Sequence, residues 1–527
     1  MLKRHLLKPA TKKALLSLVI ALGLMSPGCG TNPVTKKREL QLVSESQEIA
    51  IGKKNYGPTR QAQGGDYTLD PELTAYVQSV GNKLAAVSDR KLPYEFSIIN
   101  DSTPNAWAMP GGKIAFNRGL LYELNNEAEL AAVMGHEMVH AAARHGAKDM
   151  ERGILLQGAM IAVGIGAQNS DYANLIVGGA QVGAQLVSTK YGRDAESESD
   201  LYGMRYMKKA GYDPAAAVTL QETFVRLSAE HKSNFIDGLF ASHPPSAQRV
   251  SANKSTLMQL GAGGDMGKDV YAQKVSKLKS TQAAYKAYDE AVKALANKDL
   301  EKAKQLINQA IAGEPREAKF QEFLADMALL QKKPEAALAL YGKAINMQPD
   351  YFKPHVQSGI VLFSLGRKAE AEAYLKRANE LLPTAPAYNL LGQLAEGRGD
   401  TALAMQHYQI AADSKSEIGQ QAGARLAKLD LPRNPAKYMQ ARIEVDRAGN
   451  LYAVLQNNSA LSIQKVQFKV IRYDLKTGRV ISRSAPLILR TALAAGAKGQ
   501  MALGQKVASL QEAQSYQLVL EAAEIQP

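Results

Sequence analysis

Three stretches of the chain differ in the spacing of their apolar residues. Residues 31–255 mix helical patterns, a short strand-like run and polar loops, whereas residues 281–430 are rich in alanine and have a helical pattern throughout. In residues 436–527 apolar and polar residues alternate with period two, as in Val466–Tyr473, which is typical of antiparallel strands. The pattern predicts a multidomain protein with a mainly α first domain of the α+β class, a helical array and a small C-terminal β-sandwich.

The helical array has a regular repeat. Ala303, Ala337 and Ala371 are each 34 residues apart, and Ala404 follows after 33. A small residue lies twelve positions before each of these alanines, and a bulky apolar residue lies four positions after each. This period resembles the tetratricopeptide repeat, a helical hairpin whose small residues let two helices approach closely. Residues 281–430 are therefore predicted to form an α-solenoid of such repeats, which binds peptides or partner proteins.

Residues 1–28 have the pattern of an export signal. A basic stretch that ends at Lys13 is followed by the eleven apolar or small residues Ala14–Leu24, too few to span a bilayer. Cys29 follows a glycine in a pattern that resembles a bacterial lipobox. We expect residues 1–28 to be removed and a lipid on Cys29 to anchor the protein to the outer membrane from the periplasm. The alternative is an ordinary cleavage site beside an unmodified cysteine.

Composition narrows the classes of function. Of the 527 residues, 46% are hydrophobic and 22% are charged, a balance that excludes wholesale disorder and a multi-span membrane protein. The single cysteine excludes an intramolecular disulfide and any metal site that needs two thiolates. The formal net charge is +14, but the basic residues are scattered without interleaved aromatic residues, so we expect no nucleic-acid partner. Residues 256–280 are rich in Gly, Ser and Lys and are expected to form a linker.

One predicted helix carries a motif with metal chemistry, His-Glu-Met-Val-His, which begins at His136. The pattern from Asn126 to His145 predicts a single helix with Asn126 as its N-cap. His136 and His140 then lie one turn apart on one face and can bind the same metal ion. Glu137 lies beside them and can take a proton from the attacking water. The sequence therefore predicts a site for one zinc ion, with Glu137 as the general base.

A zinc site of this kind needs a third protein ligand. His145 has the right chemistry, but it continues the predicted helix, and Gly146 stands where the HExxHxxGxxH pattern has its third histidine. Glu196 and Asp200 share one face of a later predicted helix. One of these carboxylates can bind zinc while the other accepts a hydrogen bond from a zinc-binding histidine. Glu198 points away from that face and is expected to be solvated.

The combination of HExxH with ExxxD resembles the gluzincin metallopeptidases of the HtpX and CaaX-prenyl-protease family. Further segments of residues 32–255 are similar to the same family: Asn32–Thr35, Asn105–Gly112, Lys113–Leu121, Ala210–Pro214, and Ser242–Pro244 with Arg249. The resemblance implies a zincin-type metallopeptidase domain in residues 29–255. It implies that His136, His140 and Glu196 are the zinc ligands. It also implies that Glu137 is the general base, which leaves Asp200 to orient a ligand.

Three further features each allow two interpretations. His243, which precedes a proline, can reach the zinc or stabilise the oxyanion, and we include it as a candidate catalytic residue; the alternative is a histidine that packs a loop. The strand Gly112–Phe116 is expected to bind the substrate backbone by β-addition, unless it is an ordinary edge strand. Ile154–Ala167 and Ala173–Val187 are expected to form a helical hairpin over the cleft, with contact to a membrane surface as the alternative.

These features predict a zinc metalloendopeptidase of the bacterial cell envelope that acts on misfolded or stalled outer-membrane proteins. With the repeats attached, the chain resembles periplasmic members of the family that act in the assembly of outer-membrane β-barrels. The expected partners are such proteins or their assembly machinery. One alternative is a chaperone or scaffold in which proteolysis is gated or secondary. A second is a hydrolase of peptidoglycan or small peptides, although four repeats favour larger protein partners.

Overall fold

The computed structural model describes residues 28–157, 190–229 and 239–526. These residues form two compact units, the first ending at Tyr351 and the second beginning at Phe352. The expected export signal before Gly28 lies outside the described residues, as does most of the expected hairpin in residues 154–187. No helix in the described ranges has the length and apolarity needed to cross a membrane.

The first unit contains a two-stranded ribbon and a three-stranded sheet. The ribbon consists of β1 (Gly28–Thr31) and β2 (Arg38–Gln41), and the sheet of β3 (Glu95–Ile99), β4 (Ala106–Met109) and β5 (Lys113–Asn117). The strand order of the sheet is β3-β5-β4, with β5 parallel to β3 and antiparallel to β4. The central strand therefore has both of its hydrogen-bonding edges occupied.

That order corrects the prediction for the strand Gly112–Phe116, which corresponds to β5. Lys113 pairs with Glu95 on one side, and Phe116 pairs with Ala106 on the other. Because both edges are occupied, β5 cannot add a substrate strand, and the prediction was wrong. Four of the five residues of β5 are buried, and the sequence of a strand does not show which neighbours that strand has.

The described part of residues 45–260 contains nine helices: α1 (Glu45–Ala62), α2 (Pro71–Val87), α3 (Arg118–Glu123), α4 (Glu127–Ala142), α5 (His145–Gln157), α6 (Arg193–Lys209), α7 (Ala215–Ala229), α8 (Leu239–Ser242) and α9 (Ala247–Leu260). Every residue of α4 is buried. Asn126 is its N-cap, as predicted, and its side chain accepts a hydrogen bond from the backbone of Glu129 at 2.8 Å. The helix that carries the HExxH motif is therefore enclosed on all sides.

The same helix ends earlier than predicted. It stops at Ala142, and Arg144 has a left-handed backbone with φ 63°, so that α5 begins at His145 as a separate helix. The Arg144 side chain is buried and pairs with Glu48 at 2.7 Å and with Glu151 at 3.0 Å. Both partners are buried too, so three charged groups hold the turn in place. The prediction of one helix through residue 145 could not include these long-range contacts.

Residues 256–280 also differ from the expected linker. After α9 the chain forms two further helices, α10 (Lys268–Lys274) and α11 (Ser276–Ser280). The side chains that enter the core recur with helical spacing: Tyr271, Val275 and Leu278. The hydroxyl of Tyr271 donates a hydrogen bond to the carbonyl of Leu121 at 2.7 Å. This segment is polar in composition, but three of its side chains are buried in the core of the first unit. It is therefore a packed part of that unit and not a linker.

Nine helices continue the chain: α12 (Gln282–Ala296), α13 (Leu300–Gly313), α14 (Ala318–Leu330), α15 (Pro334–Met347), α16 (Phe352–Ser364), α17 (Lys368–Leu381), α18 (Ala385–Gly397), α19 (Thr401–Ala412) and α20 (Glu417–Asp430). The first eight form four hairpins, two in each unit, which confirms the predicted repeats. The small positions are explained by packing. A Cβ on Gly359 would lie 2.6 Å from Leu375, and one on Gly392 would lie 2.5 Å from Tyr408.

The first hairpins share a core with the preceding domain. Tyr285 and Phe320 belong to the same buried cluster as residues of α2, α3 and α4. The Asn100 amide donates to both oxygens of Glu317 at 3.1 and 3.0 Å, and the hydroxyl of Tyr285 donates to the same carboxylate. The buried Arg118 guanidinium lies 3.4 Å from the centre of the Tyr285 ring. These repeats are therefore not an independent module.

The C-terminal residues form the predicted sandwich. Its strands are β6 (Met439–Val445), β7 (Asn450–Asn457), β8 (Ile463–Tyr473), β9 (Val480–Arg483), β10 (Leu487–Leu489), β11 (Lys498–Lys506) and β12 (Tyr516–Ile525). One sheet has the order β11-β7-β6, and the other has β10-β8-β12 with β9 also on β8. Leu455 from the first sheet and Phe468 from the second are fully buried in one core. A short helix, α21 (Leu510–Ala513), precedes the last strand.

Candidate metal centre

The site is built where α4 and α6 touch backbone to backbone. A Cβ on Gly135 of α4 would lie 3.0 Å from the carbonyl oxygen of Gly203 in α6. Since no side chain separates the two helices, the first turns of α6 come against the motif helix. Glu196 and Asp200 are both buried there, beside His136.

Four buried side chains converge at this point. One ligand atom from each of His136, His140, Glu196 and His243 lies within 4.8 Å of all the others. His140 Nε2 is 3.1 Å from His136 Nε2 and 3.3 Å from Glu196 Oε1, and His243 Nδ1 is 2.9 Å from that same oxygen. The structure thus brings together three predicted ligands and the candidate catalytic histidine. Imidazole and carboxylate groups in this arrangement suit a divalent metal ion such as zinc.

Glu137 is buried at the edge of this cluster and fits the same interpretation. Neither of its carboxylate oxygens accepts a hydrogen bond from any described residue, although Nε2 of His243 lies 3.4 Å from one of them. An unpaired carboxylate is costly to bury. The donor set and this unpaired carboxylate together show that the residues fit a metal ion.

Charge and burial shift the pKa values of these groups in different directions. Burial raises the pKa of Glu137. Burial also acts to raise the pKa of Glu196, but His243 and His136 outweigh it and hold that pKa below its ordinary value. Burial lowers the pKa of His140 well below its ordinary value, which favours the neutral imidazole that a metal requires. The lowered pKa of Glu196 favours the ionised carboxylate that binds a metal. The raised pKa of Glu137 favours a carboxyl group that can hold a proton.

Asp200 lies where the sequence predicted an orienting carboxylate. Its Oδ1 atom is 2.9 Å from Nδ1 of His136. Arg249 donates to both Asp200 oxygens, at 2.8 and 2.7 Å, and its Nη1 atom lies 2.9 Å from Glu196. Burial acts to raise the pKa of Asp200, but the hydrogen bonds from Arg249 and His136 outweigh it and lower the pKa. Sequence reasoning included Arg249 only as part of the family resemblance and assigned it no contact.

Sequence reasoning set aside His145 and Glu198, but His145 contacts His140 directly and Glu198 contacts His145. Nδ1 of His145 lies 2.9 Å from Nδ1 of His140, and Nε2 of His145 lies 3.3 Å from Glu198. Lys37 pairs with the other Glu198 oxygen at 3.0 Å. The hydrogen bond from His145 lowers the pKa of Glu198 to about 2. The expectation that Glu198 is merely solvated is corrected, because the turn at Arg144 brings His145 back toward the site.

Tyr191 covers the other face of His140. The two rings are stacked with centroids 3.9 Å apart and planes 24° apart. Tyr191 lies just before α6, and no spacing or motif in the sequence could have indicated this contact.

A cavity of about 40 Å³ adjoins Glu137 and His136. Its lining is mixed, with apolar side chains such as Val133 and Leu220 and polar ones such as Gln221. Its volume is enough for more than one water molecule. Water can therefore occupy space in contact with Glu137.

Comparison with known proteins agrees with this geometry. Residues 71–257 match the model of peptidase family M48, and residues 328–395 match that of the tetratricopeptide repeat. A beta-barrel assembly-enhancing protease of Yersinia pestis is 25% identical over 484 residues, which cover 81% of this chain and 97% of the relative.

Two further relatives match smaller shares. A putative beta-barrel assembly-enhancing protease of Vibrio cholerae is 27% identical over 288 residues, 49% of this chain and 59% of the relative. The mitochondrial metalloendopeptidase OMA1 of Schizosaccharomyces pombe is 30% identical over 225 residues, 41% of this chain and 63% of the relative. The M48 match includes all four converging side chains and Glu137. The chain therefore contains a peptidase family M48 domain, is a metalloendopeptidase and carries tetratricopeptide repeats.

Proposed function

We propose that this protein is a zinc-dependent endopeptidase of the bacterial envelope that acts in the quality control of outer-membrane proteins. The observation that carries the proposal is the convergence of His136, His140 and Glu196 beside the unpaired carboxylate of Glu137. These three ligands would bind one zinc ion per chain. Bound zinc supplies Lewis acidity to a peptide carbonyl and to water.

Within this site Glu137 moves the proton. Its carboxylate takes a proton from the attacking water, and a pKa raised by burial makes it a better acceptor. It then delivers that proton to the leaving amine nitrogen. Asp200 and Arg249 keep His136 and Glu196 in place through the hydrogen bonds and ion pair described above. Because these groups are buried, the electrostatic interactions between them are strong.

His243 gives a specific reason to keep gated proteolysis as a second candidate function. Catalytic zinc sites have three protein ligands and an open position, whereas four protein ligands close a site. His243 lies 2.9 Å from Glu196 and belongs to the same four-residue cluster. If His243 also held the zinc ion, the site would have four protein ligands, and His243 would have to move before a peptide could be cut. A scaffold whose proteolysis is switched on by a partner would use such an arrangement.

The relatives and the repeats support a proposal for the substrate class. The relative from Yersinia pestis, aligned over 97% of its length, has a name that refers to β-barrel assembly. We propose that this chain acts on β-barrel proteins of the outer membrane or on their assembly machinery, and that its repeats bind such partners. Export by residues 1–28 and a lipid on Cys29 would place it in the periplasm at the outer membrane.

A trapping experiment tests this function. Cells that lack the gene would express either the wild-type protein or the Glu137→Gln variant, and envelope proteins bound to each would be quantified. We expect Glu137→Gln to keep its zinc, to lose hydrolysis by about 10²–10⁴-fold, and to retain β-barrel proteins that the wild type releases as fragments. A matched Glu222→Gln variant, changed on the exposed face of α7, should behave as wild type. Equal hydrolysis by Glu137→Gln would contradict the assignment of the base, and the absence of β-barrel proteins would contradict the substrate class.

A further inference from the structure

His140 has a buried partner that the HExxH motif does not provide. Its Nε2 atom is turned toward the metal-binding cluster, 3.3 Å from Glu196. Its other ring nitrogen, Nδ1, lies 2.9 Å from Nδ1 of His145. His145 is only 4% exposed, so water does not compete for this contact. The contact therefore lies on the side of His140 that faces away from the cluster.

The positions of the ring hydrogens follow from this geometry. A neutral imidazole that offers Nε2 to a cation carries its hydrogen on Nδ1. His140 is therefore the donor, and Nδ1 of His145 is the acceptor. His145 must then carry its own hydrogen on Nε2, which lies 3.3 Å from Glu198. Glu198 in turn accepts a hydrogen bond from Lys37 at 3.0 Å. Each donor in the series has one acceptor.

We propose that His145 and Glu198 form a positioning pair that fixes the tautomer and the ring orientation of His140 and so raises the affinity of the site for its metal ion. The proposal rests on the proposed role of His140 as a ligand. His136 has an equivalent partner, since Asp200 lies 2.9 Å from its Nδ1 atom. Both histidines of the motif are then oriented through their Nδ1 atoms, His136 directly by a carboxylate and His140 by a second histidine.

The turn after α4 is what makes this contact possible. In a continuous helix, residue 145 would lie about 140° around the axis from residue 140 and would point away from it. The left-handed backbone of Arg144 interrupts the helix and returns His145 to His140. Arg144 is held in that conformation by its buried ion pairs with Glu48 and Glu151. Arg144 thus has a backbone conformation that L-amino acids rarely adopt, and this conformation brings His145 to the candidate metal site.

Zinc affinity measures the effect of the pair. Competition with a chromophoric chelator at fixed pH would be carried out on full-length protein with the Glu137→Gln background, which prevents self-cleavage. His145→Phe keeps a ring of similar size but removes the acceptor, and it should weaken zinc binding by about 10–100-fold. His145→Asn restores an acceptor near the Nδ1 position and should recover part of that loss. Glu198→Ala, which removes the acceptor for the Nε2 hydrogen of His145, should also weaken zinc binding.

A control and a spectroscopic readout separate positioning from packing. His355→Phe removes another buried histidine, in the second unit, and should leave zinc affinity unchanged. Long-range ¹H–¹⁵N spectra of the zinc-loaded, ¹⁵N-histidine-labelled wild type should show His140 with hydrogen on Nδ1 and His145 with hydrogen on Nε2. A His145 hydrogen on Nδ1, or unchanged zinc affinity in a folded His145→Phe variant, would overturn the proposal. A parent protein that binds no zinc would overturn the ligand assignment as well.

Discussion

Gly203 of α6 lies against His136 so closely that a Cβ there would be 2.9 Å from the His136 backbone nitrogen. This contact determines how near α6 comes to the motif helix, and therefore whether Glu196 can reach the two histidines. The convergence of these candidate ligands thus depends on two glycines, Gly135 and Gly203, neither of which is itself a candidate ligand. Several expected outcomes follow from this arrangement and from the packing around it.

Gly203→Ala should separate α4 from α6. The added methyl group meets backbone atoms, which cannot move aside as a side chain can, so the variant should lose about 1–3 kcal/mol of stability. It should also bind zinc more weakly, because Glu196 moves with α6. Thermal unfolding and chelator competition would measure both effects. Gly342→Ala in α15, where an added Cβ meets nothing within 4 Å, is the matched control and should be neutral or slightly stabilising. If the two variants behave alike, the close approach does not control the site.

Glu196 should be required for metal binding rather than for folding alone. Glu196→Ala removes the only carboxylate among the four converging side chains, and metal analysis of the purified protein should find well below one zinc per chain. Glu196→Gln keeps the shape but not the charge and should retain zinc weakly. Glu222→Gln, an exposed acid of α7, should keep a full complement. A Glu196→Ala protein with one zinc and full activity would show that another residue is the third ligand.

The sequence predicted that His136, His140 and Glu196 come together, because spacing on a helix determines which side chains share a face. The HExxH motif and the Glu196–Asp200 pair are each one turn apart, so each pair could be placed without knowledge of the fold. The buried positions Tyr271 and Val275 also had helical spacing, and they could have shown that residues 256–280 are packed rather than a linker.

Other features depended on contacts that spacing does not encode. The end of α4 is set by Arg144, whose partner Glu48 lies almost one hundred residues away in the chain. The roles of His145 and Glu198 follow from that turn, so a helix continued through residue 145 necessarily missed them. The central position of β5 likewise depends on β3, which pairs with it in parallel.

A chain that ends at Ser280 should be much less stable than one that ends at Tyr351. The shorter chain lacks Tyr285, whose ring covers Arg118, and Glu317, which accepts hydrogen bonds from Asn100. It therefore exposes part of the core and leaves the buried Arg118 cation uncovered. The longer chain keeps the first two repeat hairpins and should fold and bind zinc. The point variant Tyr285→Ala should cost about 3–5 kcal/mol in the full-length protein. Thermal unfolding and zinc content of the two truncated proteins would decide, and equal stability would show that the shared core is dispensable.

His243→Ala distinguishes the two roles that this residue could have. If His243 closes the site, its removal leaves three ligands and an open position, and the purified protein should hydrolyse a short unstructured peptide several-fold faster than wild type. Its zinc affinity should fall only modestly, because His136, His140 and Glu196 remain. If His243 instead stabilises the oxyanion, the same change should lower kcat by about 10²–10³-fold. Ser242→Ala, beside it in α8, should match the wild type and would exclude a general loosening of the segment. We expect the increase, because Nδ1 of His243 lies within 2.9 Å of Glu196, among the ligands rather than at a distance from them.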